Sequence, residues 1–408
     1  MDCLRDDSCS DRSLAWDSFI IKLILLFPIT TLLQSFSIFA AINKCMVFLL
    51  IFTIMFCHTK YTYNQIIILL LLSFSFIMEL IYTNYNASYL NEYFYLPLWI
   101  LYLIYYAQNF DTVKIILKNN IKYIRFIIWM WSIVAVCYQL FRHAYIYTGS
   151  IDHRASSTCL FVLMLVWIYI AVTGNKKRIL LCAIPIFFTL MDSARVYLAV
   201  NILIFICIYY SCFNNKLNFG FTIVPLFFGF LYILTFTPMM DKIYASIQPN
   251  SVYDSLGMLT SGRSVFFKID WDAFLRLPAW NQIVGDGIAY VHEVNAQYYN
   301  DPIWAHNDYL NILLGNGYLG LIVYFAAFID FCHKSFAKIK EYKNFYEPMF
   351  LIACFLNASL NGLYLYTPAL LAMPLMLTAV TLSKKEKSEF CNNFKEVKLV
   401  RSLMGQRL

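Results

Sequence analysis

Long apolar runs follow one another along almost the whole chain, and nothing constrains its fold more. They cover 18–33, 37–57, 65–82, 93–109, 123–141, 157–173, 179–191, 196–213 and 219–237, then 307–331, 347–363 and 366–382. A helix needs about 20 apolar residues to cross the hydrocarbon core of a bilayer. Backbone groups in lipid must be satisfied inside each segment, so these runs are read as helices. Composition agrees, because 61% of the 408 residues are hydrophobic and only 13% charged, against about 25% charged for soluble proteins. The expectation is an all-α polytopic integral membrane protein with about twelve transmembrane helices. Four segments follow: a bundle of about nine helices over 1–237, one large polar loop over 238–305, about three helices over 306–382, and a basic tail over 383–408. The splits at 34–36, 192–195 and 364–365 rest on the fewest polar residues.

The net charge of +7 is read through its location. With both termini in the cytoplasm, 21 of the 31 Lys and Arg residues fall on the inner side and 8 on the outer side. That bias is the positive-inside pattern. It is set by short loops such as Asn175–Arg178 and His333–Lys343, while Thr83–Glu92 holds neither Lys nor Arg. The 68-residue loop is then external, and the positive charge orients the chain rather than binding nucleic acid. The start, MDCLRDDSCSDRSLAW, carries mixed charge and no short apolar segment ending in small residues. The first helix is therefore expected to act as its own targeting signal.

None of the 12 cysteines falls in 238–305, the one segment large enough to need stapling. They are read as small apolar residues, and no pair has zinc-site spacing with histidine. Gly315-Asn316-Gly317-Tyr318-Leu319-Gly320 fits G-x-G-x-x-G literally. A dinucleotide site needs a strand before it and a soluble βαβ unit around it. Inside an apolar run, close packing through small residues is the expectation.

The informative residues are outward-facing and cationic. Arg195 closes the turn Asp192-Ser193-Ala194-Arg195 between two spans. It is read either as a cation on a rigid external platform or as an interfacial arginine snorkelling or pairing with Asp192. Arg263 opens a stretch, 263–277, whose apolar residues Phe266, Ile269, Ala273, Phe274 and Leu277 suit an amphipathic helix on a membrane surface. Ser261 or Thr260 is placed to cap it. A cation in a first turn opposes the helix dipole, unless an anion docks there and uses both the free N–H groups and the guanidinium.

Gly285-Asp286-Gly287 reads as a tight turn. Tyr290, His292, Glu293, Tyr298, Tyr299 and Trp304 follow it, and their aromatic faces suit sugar rings or lipid headgroups. His306-Asn307-Asp308 closes the loop where the next helix begins, with Asn307 or Asp308 as its cap. His306 has the proton affinity of a base at neutral pH; a structural interfacial histidine is the competing reading. Glu79 and Asp330 lie near opposite ends of their helices and are read as interfacial, and His143, His153 and Arg154 as possible lining of a site.

Taken in order, Ser-Ala-Arg195, Ser-Gly-Arg263, Gly-Asp-Gly287 and His306-Asn-Asp-Tyr-Leu310 running into Gly317 and Gly320 resemble the O-antigen polymerase (Wzy) and O-antigen ligase superfamily. The motifs cover about 180–325, and the twelve-span layout extends the likeness over the chain. The resemblance implies a GT-C-type, inverting, metal-independent glycosyltransferase without cofactor, in the bacterial inner membrane, with its active site periplasmic. Its donor would be an undecaprenyl-pyrophosphate-linked oligosaccharide, with membrane lipid and a chain-length regulator protein as further partners. His306 would be the base, with Arg195 and Arg263 on the departing pyrophosphate. Asn307, Asp308, Gly285, Asp286, Gly287, Tyr290 and Trp304 would bind substrate. His-Asn-Asp-Tyr-Leu looks more like polymerases, whereas many enterobacterial ligases resemble His-x-His-Asn, and this chain has Trp304 two residues before His306. A ligase acting on lipid A–core and a lipid-linked oligosaccharide flippase or other transporter stay open. The transporter reading lacks the mid-membrane ionisable residues and repeated halves usual there.

Overall fold

A computed structural model describes residues 6–57, 61–82, 89, 92–145, 153–192, 194–212, 263–299 and 304–383, with scattered positions over 220–235. Among the described residues the chain is helical, with no strand. The helices are α1 (Asp6–Leu32), α2 (Ser37–Cys57), α3 (Tyr63–Tyr82), α4 (Tyr95–Gln108), α5 (Phe110–Asn119), α6 (Ile121–Tyr145), α7 (His153–Thr173), α8 (Ala183–Met191) and α9 (Arg195–Cys212). Then come α10 (Arg263–Arg276), α11 (Ala279–Val284), α12 (Ile288–Tyr299), α13 (Asp308–Phe336) and α14 (Lys343–Leu360), with α15 over Thr367–Ser383.

Among the described residues seven helices are long and apolar enough to cross a membrane: Leu14–Leu32, Ser37–Phe56, Tyr63–Ile81, Ile121–Gln139, Ser156–Thr173, Arg195–Cys212 and Asp308–Ile339. The chain is thus a multi-pass membrane protein, with seven of the twelve expected runs forming such helices. Run 93–109 yields α4, of 14 residues, and run 366–382 yields the short apolar helix α15. Run 179–191 divides between a 3-10 helix, Lys176–Cys182, and α8, and run 347–363 forms α14, with Pro348 inside it. Most of run 219–237, the loop segment 238–262 and the tail after Ser383 lie outside the described residues.

Burial explains the short helices. In α4, Leu96 and every residue from Leu98 to Ala107 are buried, as is every residue from 361 to 382. Helices apolar on all sides belong inside a bundle, where neighbouring helices rather than lipid set their length. The two are tied side by side: the Tyr102 hydroxyl donates to the Leu371 carbonyl at 3.0 Å, and Tyr106 and Thr378 share a hydrogen bond. The outer helices present apolar stripes instead, such as Ile66, Leu70, Phe74, Ile77 and Ile81 on α3 and Tyr318, Ile322, Phe325 and Ile329 on α13.

Helix α13 is broken at Gly317, where φ is 64° and ψ −165°. The part after the break, Tyr318–Phe336, is about 28 Å long at 1.5 Å per residue, enough to cross the hydrocarbon core alone. Helix α3 runs antiparallel beside it. Gln65 Nε2 donates to Asp330 Oδ2 at 2.9 Å near one end, and Asn316 Nδ2 donates to Glu79 Oε2 at 2.8 Å near the other. The break therefore lies level with the end of α3, and Asp308–Asn316 extends beyond it. Glu79, anticipated as a merely interfacial residue, is 4% exposed and also accepts the Ile288 N–H at 3.3 Å.

The turn 285–287 seats against this break. Asp286 N–H donates to the Leu314 carbonyl at 2.8 Å and Gly287 N–H to the Gly315 carbonyl at 3.0 Å. Buried carbonyls beside a break need donors from elsewhere, and this turn supplies them. A Cβ at Gly285 would overlap the Gly315 carbonyl, and one at Gly317 would overlap the Ile283 carbonyl; both residues also have positive φ. The G-x-G-x-x-G string thus serves close packing, and the partner is the turn after α11 rather than another membrane helix.

Candidate functional site

The site grows from the end of α14. The last turn of a helix leaves carbonyls without intrahelical donors and carries the negative end of the dipole. Two residues distant in sequence satisfy them. Arg263 Nη1 donates to the Leu360 carbonyl, and Asn307 Nδ2 donates to the Ser359 carbonyl at 3.0 Å. Arg263 Nη2 also donates to Asn361 Oδ1 at 3.3 Å. Among the described residues no carboxylate pairs with Arg263. Its guanidinium is held below the ordinary arginine range, first by burial and to a smaller degree by the charge of Arg195. Tyr197, two residues after Arg195 on α9, meets Tyr366 at 5.9 Å, which brings the head of α9 towards the segment 360–366 whose first residues hold Arg263.

His306 stands beside them. Its φ is 52°, a left-handed conformation that costs a residue with a Cβ about 1–3 kcal/mol and is found where surrounding structure enforces it. The enforcement is visible. Asn307 caps α13, its Oδ1 accepting from Tyr309 N at 2.9 Å and Leu310 N at 3.2 Å. Asp308 is fully buried and accepts from Leu363 N at 2.8 and 2.9 Å, from Tyr364 N at 3.3 Å and from the Tyr324 hydroxyl at 3.3 Å. The His306 ring then lies edge-on to Phe266 at 6.1 Å and to Trp304 at 6.5 Å. Trp304 meets Tyr366 at 5.7 Å, and Tyr366 meets Tyr197 at 5.9 Å. The aromatic row joins His306 to the arginines.

Helix α10 presents its faces differently from the sequence pattern. Phe266, Asp270 and Phe274 are buried, and Phe274 and Leu277 pack with Tyr93, Val291, Leu310 and Leu313. The anticipated membrane face thus packs on protein, while Trp271 and Leu275 are exposed. Caps at Thr260 and Ser261 lie outside the described residues.

Of the remaining sequence candidates, Gly285, Asp286 and Gly287 sit at the break in α13, and Asp286 Oδ1 accepts from Asn281 Nδ2 at 2.7 Å. Gly315, against which they rest, is seven residues from Asp308, about 10 Å along the helix. Tyr290 packs half-buried on the cluster around Phe274 and Leu313. These four scaffold the site; Arg195, Arg263, His306, Asn307 and Trp304 gather at it, and Asp308 secures it from below.

Sequence reasoning named His292 among the aromatics but missed its partners. His292 Nε2 lies 2.7 Å from Glu92 Oε2. Its ring stacks on Tyr89, centroids 4.0 Å apart and planes 1° from parallel, and lies 6.2 Å from Trp304. Asn361 and Tyr366 were missed too. Nothing local marks them, because Glu92 meets His292, and Asn361 meets Arg263, only through the fold. Among the described residues no group of three or more His, Cys, Asp or Glu side chains is arranged to hold a metal ion. The chain matches no family model, no curated protein and no solved structure.

Proposed function

We propose that this protein is a surface-polysaccharide polymerase, an inverting glycosyltransferase that joins undecaprenyl-pyrophosphate-linked repeat units at the periplasmic face of a bacterial inner membrane. The observation that carries this reading is the convergence of Arg195, Arg263 and a conformationally strained His306 around residues 360–366.

The chemistry suits those groups. The anomeric carbon of the donor already bears a pyrophosphate leaving group, so neither nucleotide nor metal is required for activation. The acceptor hydroxyl oxygen attacks that carbon from the opposite side and loses its proton to His306. The bond from carbon to the pyrophosphate oxygen breaks, and the electron pair leaves with the lipid diphosphate. Arg263 and Arg195 offset the charge that grows there. Arg263 is oriented by neutral oxygens and keeps its full charge for a ligand, as preorganised electrostatic stabilisation requires. Arginine suits this task because its planar fork matches phosphate oxygens in pairs.

Deleting the gene and resolving the surface polysaccharide on a gel tests the reading. Core carrying a single repeat unit is the expected outcome. Core carrying none would transfer the assignment to a ligase or a flippase, and an unchanged ladder would remove the chain from polysaccharide assembly.

A further inference from the structure

The site has a second end. Trp304 has a further neighbour besides His306 and Tyr366: His292, with Tyr89 and Glu92 around it. His292 is 4% exposed and Glu92 13% by side chain. With a carboxylate as the acceptor, Nε2 carries the hydrogen, so in the neutral ring Nδ1 is left with its lone pair. That Nδ1 is buried and has no hydrogen-bond partner among the described residues. A buried polar atom left without a partner is destabilising, which is an argument for a group that arrives from outside. Tyr89 lies flat on the same imidazole, and its phenol is held above the ordinary tyrosine range, first by burial and then by the charges of Glu92 and Glu293. This end is therefore aromatic and acidic, whereas the other is aromatic and basic.

We propose that Tyr89, Glu92, His292 and Trp304 form a sugar-binding subsite, taking a hydroxyl-bearing ring that carries no negative charge and directing the diphosphate to Arg195 and Arg263. The inference rests on the glycosyl-transfer reading and adds a polarity to it. Tyr89 and Trp304 offer faces for the C–H side of a pyranose. Glu92 accepts hydroxyl hydrogens at its outer oxygen, and His292 Nδ1 accepts one more once the ring settles. The carboxylates repel phosphate, so a sugar diphosphate has one favourable direction along the aromatic row. His306 is edge-on both to Trp304 of the sugar end and to Phe266, about one helical turn along α10 from Arg263, so it has a neighbour on each side of the glycosidic bond.

The test uses the full chain in detergent and two probes in titration calorimetry. One probe is the free oligosaccharide released by mild acid from the surface polysaccharide of the source organism; the other is undecaprenyl diphosphate without sugar. Tyr89→Leu and Glu92→Gln are expected to weaken the oligosaccharide tenfold or more and the lipid diphosphate less than threefold. Arg263→Ala is expected to show the reverse. Glu92→Gln keeps an oxygen to accept from His292, so it guards against a variant that merely fails to fold. Absence of oligosaccharide binding by the unaltered protein would overturn the subsite, as would equal losses for both probes in the Glu92 and Tyr89 variants. Failure of the glycosyl-transfer reading is separable, since it would appear as intact oligosaccharide binding with no turnover of lipid-linked repeat units.

Discussion

Two regions of the helix bundle, one around Asp330 and one around Arg263, handle charge in opposite ways. In the region holding Asp330 and Lys338, cations and carboxylates are paired within the chain: Lys334 Nζ lies 2.8 Å from Asp330 and Lys338 Nζ 2.6 Å from Asp111. In the other region Arg263 is held by a carbonyl and an amide oxygen. A paired charge has little left to offer a ligand. A charge oriented by neutral dipoles is fixed in place and still available, which is the arrangement electrostatic catalysis needs.

The largest expected effect of breaking this contrast is at His306. His306→Ala should cut polymer formation by about 10²–10⁴-fold, the range for loss of a general base, while membrane insertion, followed by fractionation, stays normal. Wild-type polymer from that variant would remove His306 as the base. Next comes Arg263→Ala, with about 10²–10³-fold lost turnover, as for removal of one preorganised donor to a developing anion. Arg263→Lys should recover little of it, because a point charge cannot replace a two-pronged fork; full recovery in the same assay would refute the bidentate contact.

A third effect is on stability and has a defined sign. Asp270 is fully buried, accepts from Asn295 Nδ2 at 3.1 Å, and is pushed by burial from 3.8 up to about 7. Its Oδ2 and Asn295 Oδ1 are both without partners, and a proton on Oδ2 would bridge them. The folded state therefore holds this proton more tightly than the unfolded chain. The resulting stability is complete below about pH 4 and is lost as pH rises to about 7, at roughly 1.4 kcal/mol per unit. Melting in detergent should fall across that window, and Asp270→Asn should flatten this part of the profile. The smallest effect belongs to the paired region. Lys338→Ala removes a pair whose members are 45% and 63% exposed, and such pairs contribute less than about 1 kcal/mol. Polymer yield should stay within twofold of the unaltered protein.

Much of the fold was legible in the sequence because a bilayer leaves a periodic apolar record. Asn307 and the helix it caps, Arg263 in a first turn and the tight turn at 285–287 were legible for the same reason: each is a local rule. What escaped was nonlocal. Phe274 and Leu277 looked like part of a membrane face, yet their partners Tyr93 and Leu313 are far away in the chain. Glu79 looked interfacial because its acceptor role depends on a break in α13 more than 200 residues later. The shorter helices α4 and α15 were read as ordinary spans, because apolarity does not distinguish a lipid contact from a protein contact.

Charge left available near His306 implies binding of an anionic lipid, and one measurement tests this directly. Undecaprenyl diphosphate is titrated into the unaltered protein, Arg263→Ala and Lys338→Ala in nanodiscs of neutral lipid. Binding should be at least tenfold weaker for Arg263→Ala, with an unchanged Kd for Lys338→Ala. Equal affinity in all three would contradict this.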